Sequence, residues 1–205
     1  MSVSQKSAGI TRIIACGVFK PALEYLQLER RYPTLRVSYL PSVLHLRPHD
    51  LKNMLTKEIK SSQKRGERVI CLYGDCFPDI DGFCNERGAI KVPGHYCYEM
   101  FLGSKQFQLL MNEMAGTYFL EKDLILNFEE SCVKPLELHD EEMRKACFEH
   151  YRRLIYIRQP SDPDLMTKAG ELADFLELSL DTLDADYSFL EKQITELIET
   201  EACLQ

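Results

Sequence analysis

Between Tyr73 and Glu99 the chain collects Cys76, Cys84, His95 and Cys97, set in Tyr73-Gly74-Asp75-Cys76 and His95-Tyr96-Cys97-Tyr98-Glu99. Thiolate and imidazole donate lone pairs to borderline or soft cations, so this set points to zinc, iron or cobalt, as a bare ion or within a metallocofactor such as an iron-sulfur or haem group. A hard cation would need clustered oxygens. Seven residues separate Cys76 from Cys84 and twelve separate Cys84 from Cys97, unlike the tight two-residue knuckles of zinc ribbons and fingers. The same residues allow covalent chemistry, with Cys76 or Cys97 as thiolate nucleophile, His95 as base and Asp75 or Glu99 orienting it. His95 and Cys97 lie two apart; on a strand they share a side, and on a helix they splay, a choice the sequence leaves open.

The elements that must position these residues alternate. Thr11 to Val18 carries Ile13, Ile14, Ala15, Cys16 and Val18 as a nearly continuous apolar run, the pattern of a buried strand. Pro21 opens a helix with Ala22, Leu23, Tyr25, Leu26 and Leu28 on one stripe. Leu35 to Leu40 is a second strand, and Asp50 to Ser62 a helix that Asp50 would cap and Gly66 would stop. Arg68 to Tyr73 is a third strand and Ala89 to Val92 a short fourth. Helices are expected over Tyr98 to Gly103, Phe107 to Met114, Tyr118 to Phe128 and Glu141 to Tyr151. Leu154 to Ile157 and Leu178 to Leu183 then return as strands, with helices at Asp164 to Leu176 and Tyr187 to Thr200.

This alternation predicts an α/β fold with a mainly parallel, Rossmann-like sheet flanked by helices. After a flexible N-terminus of residues 1–10, one domain is expected over 11–205, with similar lobes at 11–100 and 150–205 around a helical middle, 101–149. In such sheets ligands bind beyond the carboxyl ends of the strands. Cys16 closes the first strand, His45 follows the second, Cys76 the third, and His95 with Cys97 the fourth. The expected metal donors are therefore Cys16, Cys76, His95 and Cys97, with Asp75 and Glu99 behind them and His45 completing or gating the site. Cys84, in the connection Asp79 to Gly88, has no strand end to fix it, and Cys71 points into strand core.

Composition narrows the function classes. Of 205 residues, 45% are hydrophobic and 28% charged, ordinary for a globular protein, and no apolar run reaches the roughly 18 residues of a membrane span. The net charge of −7 is uneven. Pro160 to Gln205 holds twelve acidic residues against Lys168 and Lys192, and the rest of the chain is slightly basic. The run Lys57, Lys60, Lys64, Arg65 and Arg68 is interrupted by Glu58 and Glu67, as on a solvated helix face, so no nucleic-acid role is expected. There is no Gly-x-Gly-x-x-Gly or Walker-type loop. The first residues lack the apolar core of a secretory signal, so the expected location is cytoplasmic, where eight cysteines serve as thiols or ligands rather than disulfides.

Ile14-Ala15-Cys16-Gly17, Leu40-Pro41 with Leu44-His45, Tyr73-Gly74-Asp75-Cys76, His95-Tyr96-Cys97-Tyr98-Glu99, Leu102-Gly103-Ser104 and Gly116-Thr117-Tyr118-Phe119 occur in an order that resembles the DUF1638 family of uncharacterised proteins. The resemblance runs from about Thr11 to the strand at Leu154. Such proteins are similar to ones found in methanogens and other anaerobes, often beside corrinoid-dependent methyltransferase systems. It implies an accessory role there, with a corrinoid protein or methyltransferase as partner, and supplies no catalytic residue. The expectation is a metal- or metallocofactor-binding accessory protein; the alternative is a small-molecule enzyme with a cysteine nucleophile at the same strand ends.

Overall fold

The computed structural model describes residues 9–200. Most of the expected flexible N-terminus, and Cys203, lie outside them. The described chain is α/β and divides into two compact units, one of residues up to His95 together with those from Glu191, the other Tyr96–Leu190.

In the first unit β1 (Thr11–Cys16) leads through a 3-10 turn into α1 (Lys20–Leu26) and α2 (Leu28–Arg31). There follow β2 (Leu35–Leu40), α3 (Pro48–Lys64), β3 (Arg68–Leu72), α4 (Ile80–Glu86) and β4 (Ala89–Lys91). The four strands are all parallel in the order β2-β1-β3-β4. Ile13, Ile14, Ala15, Ile70, Cys71 and Leu72 are completely buried, which explains why these central strands are apolar without alternation. Strand order reverses between β1 and β3, the place where open parallel sheets part their loops and leave room for a ligand. Cys16 ends β1 at that place, and Asp75 and Cys76 follow β3.

α3 begins two residues earlier than expected. Arg47 takes the N-cap position and Pro48 the first turn, because proline has no N–H to leave unsatisfied there; Asp50 lies inside the first turn instead of capping it. Gly66, at φ 73°, turns the chain out after the helix as expected.

The second unit holds α5 (Cys97–Leu102), α6 (Ser104–Glu113), β5 (Thr117–Leu120), α7 (Lys122–Leu126), α8 (Glu141–Phe148), β6 (Arg153–Arg158), α9 (Met166–Leu176) and β7 (Ser179–Asp184). Its three strands are parallel in the order β5-β6-β7. The helix expected over Tyr118 to Phe128 is corrected here. Thr117–Leu120 pairs with β6, and Glu121 ends the strand by accepting hydrogen bonds from the amides of Asp123 and Leu124, both at 2.7 Å, which starts α7. A β-branched and aromatic run beside a capping carboxylate is a strand followed by a helix start. The core of this unit gathers Leu120, Ile125, Phe128, Leu138, Leu154, Tyr156, Ala169 and Leu176. The last helix among the described residues is α10 (Ser188–Thr200). No helix among the described residues is long and apolar enough to cross a membrane.

Candidate functional site

Beyond the carboxyl ends of β3 and β4, the first unit builds a small polar network. β3 delivers Asp75 through Tyr73 and Gly74, and β4 delivers Lys91 four residues before His95. The two loops are tied by the backbone, since the Asp75 amide donates to the His95 carbonyl at 2.6 Å. Their side chains meet as well, His95 Nδ1 lying 2.7 Å from Asp75 Oδ2. Lys91 Nζ sits behind that pair, 3.4 Å from Asp75 Oδ1 and 3.3 Å from Asp81 Oδ2, and donates to the Gly94 carbonyl at 2.9 Å. Its side chain is only 3% exposed, so the ammonium is held almost entirely by these oxygens.

Burial of Asp75 opposes its ionisation, but the hydrogen bond with His95 and the Lys91 charge together hold its carboxyl below the usual range. A carboxylate ionised and fixed in this way selects the His95 tautomer with the proton on Nδ1 and the basic lone pair on Nε2. The His95 side chain is 74% exposed, so the ring lies at the surface of the site while its anchor lies inside.

Cys76 is half-buried in the same loop. Burial pushes its thiol up, and the Asp75 carboxylate pushes it further. The neutral thiol is thus its resting form, the opposite of what a poised nucleophile needs. A groove of about 390 Å³ runs along this loop, lined by Pro48, Asp75, Cys76, Phe77, Asp79 and Asp81. Asp79 starts α4 with a left-handed backbone, φ 54°, and its carboxylate accepts from the Gly82 amide.

The other expected residues are placed as follows. Cys16 is buried at the end of β1. His45 stands exposed on a 3-10 turn, Ser42–Leu46, with Nδ1 2.8 Å from the Ser42 carbonyl, so its ring is tied to local backbone. Cys97 begins α5, so the helical alternative holds for it, and Glu99 is buried in the first turn of that helix. Both belong to the second unit, whereas Cys16, His45, Asp75, Cys76 and His95 belong to the first. Among the described residues no group of three or more His, Cys, Asp or Glu side chains is gathered to hold a metal ion. The structure brings Asp75 and His95 together directly.

The profile of "Protein of unknown function (DUF1638)" matches residues 39–194. The chain belongs to the DUF1638 family. No curated protein matches it, and no solved structure does.

Sequence reasoning does not find Lys91 in this family member. A lone lysine at the end of a three-residue strand carries no motif, and its signal is only that the strand is otherwise apolar while Asp75 and Asp81 lie in the preceding connection. Cys84 also gains weight from the structure. It is fully buried on α4, as Cys71 is in β3, and the two thiols perturb each other, Cys71 raised and Cys84 lowered. Inside the same unit the Tyr73 hydroxyl is buried without a hydrogen-bond partner among the described residues.

Proposed function

We propose that this protein binds a metallocofactor at the carboxyl edge of the first sheet, with His95 Nε2 as the donor and Cys76 beside it. Its role in this reading is accessory, serving corrinoid-dependent methyl transfer in anaerobic metabolism, with a corrinoid protein or methyltransferase as partner. The observation that carries the metallocofactor reading is the hydrogen bond from His95 to Asp75, itself held by Lys91. A carboxylate behind an imidazole orients the ring and raises the basicity of its far nitrogen, the arrangement expected of a metal-ligating histidine. A haem or corrinoid brings most of its own donors and asks the protein for one or two, whereas a bare zinc or iron ion asks for three or four. One well-oriented histidine suits the first need. The groove beside Asp75 and Cys76 gives a planar ligand an apolar wall at Phe77 and Pro78.

A bound corrinoid or haem would supply the redox or group-carrying centre. The chain's own residues have simpler tasks. His95 ligates, Asp75 holds the Nδ1 proton, and Lys91 keeps Asp75 ionised and in place. The cysteine-nucleophile alternative is disfavoured at Cys76 by the upward push on its thiol.

The test is spectroscopic. Protein purified anaerobically without chelator is analysed for metals and then titrated with aquacobalamin and with haem, each watched for the band shift of imidazole ligation. A shift is expected, abolished in His95→Ala and weakened roughly 10- to 100-fold in Asp75→Asn. Absence of any shift with either group, in a metal-free preparation, would sink the proposal. Co-purification with a tagged copy from an anaerobic host tests the partner.

A further inference from the structure

Among the described residues the two sheets end in four edge strands, β2, β4, β5 and β7. A free edge presents unpaired N–H and C=O groups, a template on which another chain can lay a strand. Three of the four offer little of it. β4 is three residues long and β5 four, and in β2 the Val37 amide is taken by the Glu29 carboxylate at 3.0 Å. β7 is the exception. It runs for six residues, Ser179–Asp184, none of them buried, and no strand lies on its outer side among the described residues.

The charge about this edge has one sign. Tyr96–Leu190 holds nineteen Asp and Glu against nine Lys and Arg, and the segment from Ala169 to Leu190 contains no Lys, Arg or His. Asp181 and Asp184 lie on the strand itself, with side chains 58% and 70% exposed, and Glu177 and Asp186 flank it. The guanidiniums that meet them come from β6, on the inner side. Arg158 donates to Asp184 at 2.6 and 2.9 Å, while Arg153 lies 3.6 Å from Asp181 and is shared with Glu113 at 3.1 Å. The outer side of the strand is left acidic. Leu180 and Leu183, both half-buried, fall on opposite faces of the strand, so each face of an added strand would meet one apolar neighbour.

From the open edge and its charge, we propose that β7 receives an extended basic segment of a partner protein as a fourth strand of the second sheet. The occupant is chosen by complementarity. Main-chain hydrogen bonds hold the segment, and Lys or Arg side chains opposite Asp181 and Asp184 set its identity. A second copy of this chain is a poor occupant, because its β7 would bring the same carboxylates to the same edge. The acidic residues thus do two things: they turn away self-pairing and they select a basic strand. This docking edge lies in the second unit and does not rest on the metallocofactor reading of the first.

The experiment uses the full chain and needs no variant of it. The probe is a blocked peptide of alternating valine and lysine. One control replaces lysine by glutamate; the other is the lysine peptide N-methylated throughout, which keeps its charge but has no amide to donate. Binding is measured by calorimetry and located by hydrogen exchange. The lysine peptide is expected to bind and to slow exchange at the amides of residues 179–184. N-methylation should weaken it roughly 10-fold or more, the effect of losing about two ladder bonds, and the glutamate peptide should not bind. Failure of the lysine peptide to bind overturns the inference, as does equal binding of its N-methylated form, which would reduce the attraction to charge alone. Protection that appears only outside β7 does the same. So does a dimer in sedimentation whose β7 amides are already protected, since the edge would then belong to a second copy.

Discussion

Each unit buries one glutamate beside a strand, and the two are treated in opposite ways. Glu67, just before β3, receives two bidentate guanidinium contacts, from Arg12 at 3.0 Å and from Arg65 at 2.9 Å. Those bonds hold its carboxyl down at about 2. Glu121, just after β5, has only the amides of Asp123 and Leu124, and burial outweighs them, pushing it up to about 7. The lesson is that depth alone does not set ionisation. A partner of opposite charge turns a buried carboxylate into a clamp, and its lack turns one into a proton store.

The largest expected effects come from removing that difference. For Glu67 the folded value lies below the ordinary value of 4.5, so its stabilisation is complete above about pH 4.5 and disappears as pH falls toward about 2. Glu67→Gln should cost about 3 kcal/mol at neutral pH, read by urea unfolding, and should flatten the acid limb; an unchanged midpoint would show the clamp to be idle. Glu121 carries the opposite sign. Its folded value is raised, so the unfolded chain releases the proton first, and stability falls as pH rises from 4.5 to about 7 by up to about 3 kcal/mol. Glu121→Gln should erase that slope in unfolding curves taken across this interval, and retention of the slope would place its origin elsewhere. A smaller effect is expected at Tyr73, whose hydroxyl is buried without a partner among the described residues. Tyr73→Phe should raise the stability of the ligand-free protein by about 1 kcal/mol, since an unsatisfied polar group is removed at nearly constant shape. Asp75→Asn should lower stability by a similar amount, about 1 kcal/mol, because its own carboxylate is partly exposed while the buried Lys91 ammonium loses one of its two carboxylates; stability is not where this change is best read. Its effect belongs instead to the spectroscopic titration of His95.

Much of the first sheet is legible in the amino-acid sequence. The uninterrupted apolar runs of β1 and β3 can only be satisfied by cover on both faces, and that is how Ile13, Ile14, Ile70 and Leu72 are placed. Asp75 and His95 are legible as candidates because they lie just past strand ends. Their 2.7 Å contact is not, since it depends on two loops 20 residues apart meeting through a backbone hydrogen bond. β5 reads as helix for a local reason, a four-residue strand running straight into a capping carboxylate and a helix of similar composition. Lys91 is invisible for a non-local one. A buried lysine is tolerable only where two carboxylates and a carbonyl converge on it, and that convergence is made by the fold, not by neighbours in sequence.

The first unit is discontinuous, and this has a consequence for how the chain is made. Its closing segment returns after the whole of Tyr96–Leu190, with Glu191 paired to Arg31, Glu199 accepting from the Tyr32 hydroxyl at 2.5 Å and the Leu197 carbonyl accepting from Arg68 at 2.7 Å. At roughly 5 to 20 residues per second, a ribosome finishes that segment about 5 to 20 seconds after the strands it completes. That interval is the synthesis of the second unit itself, whose last residue, Leu190, directly precedes the closing segment. The first, although synthesised earlier, waits for its last helix to arrive.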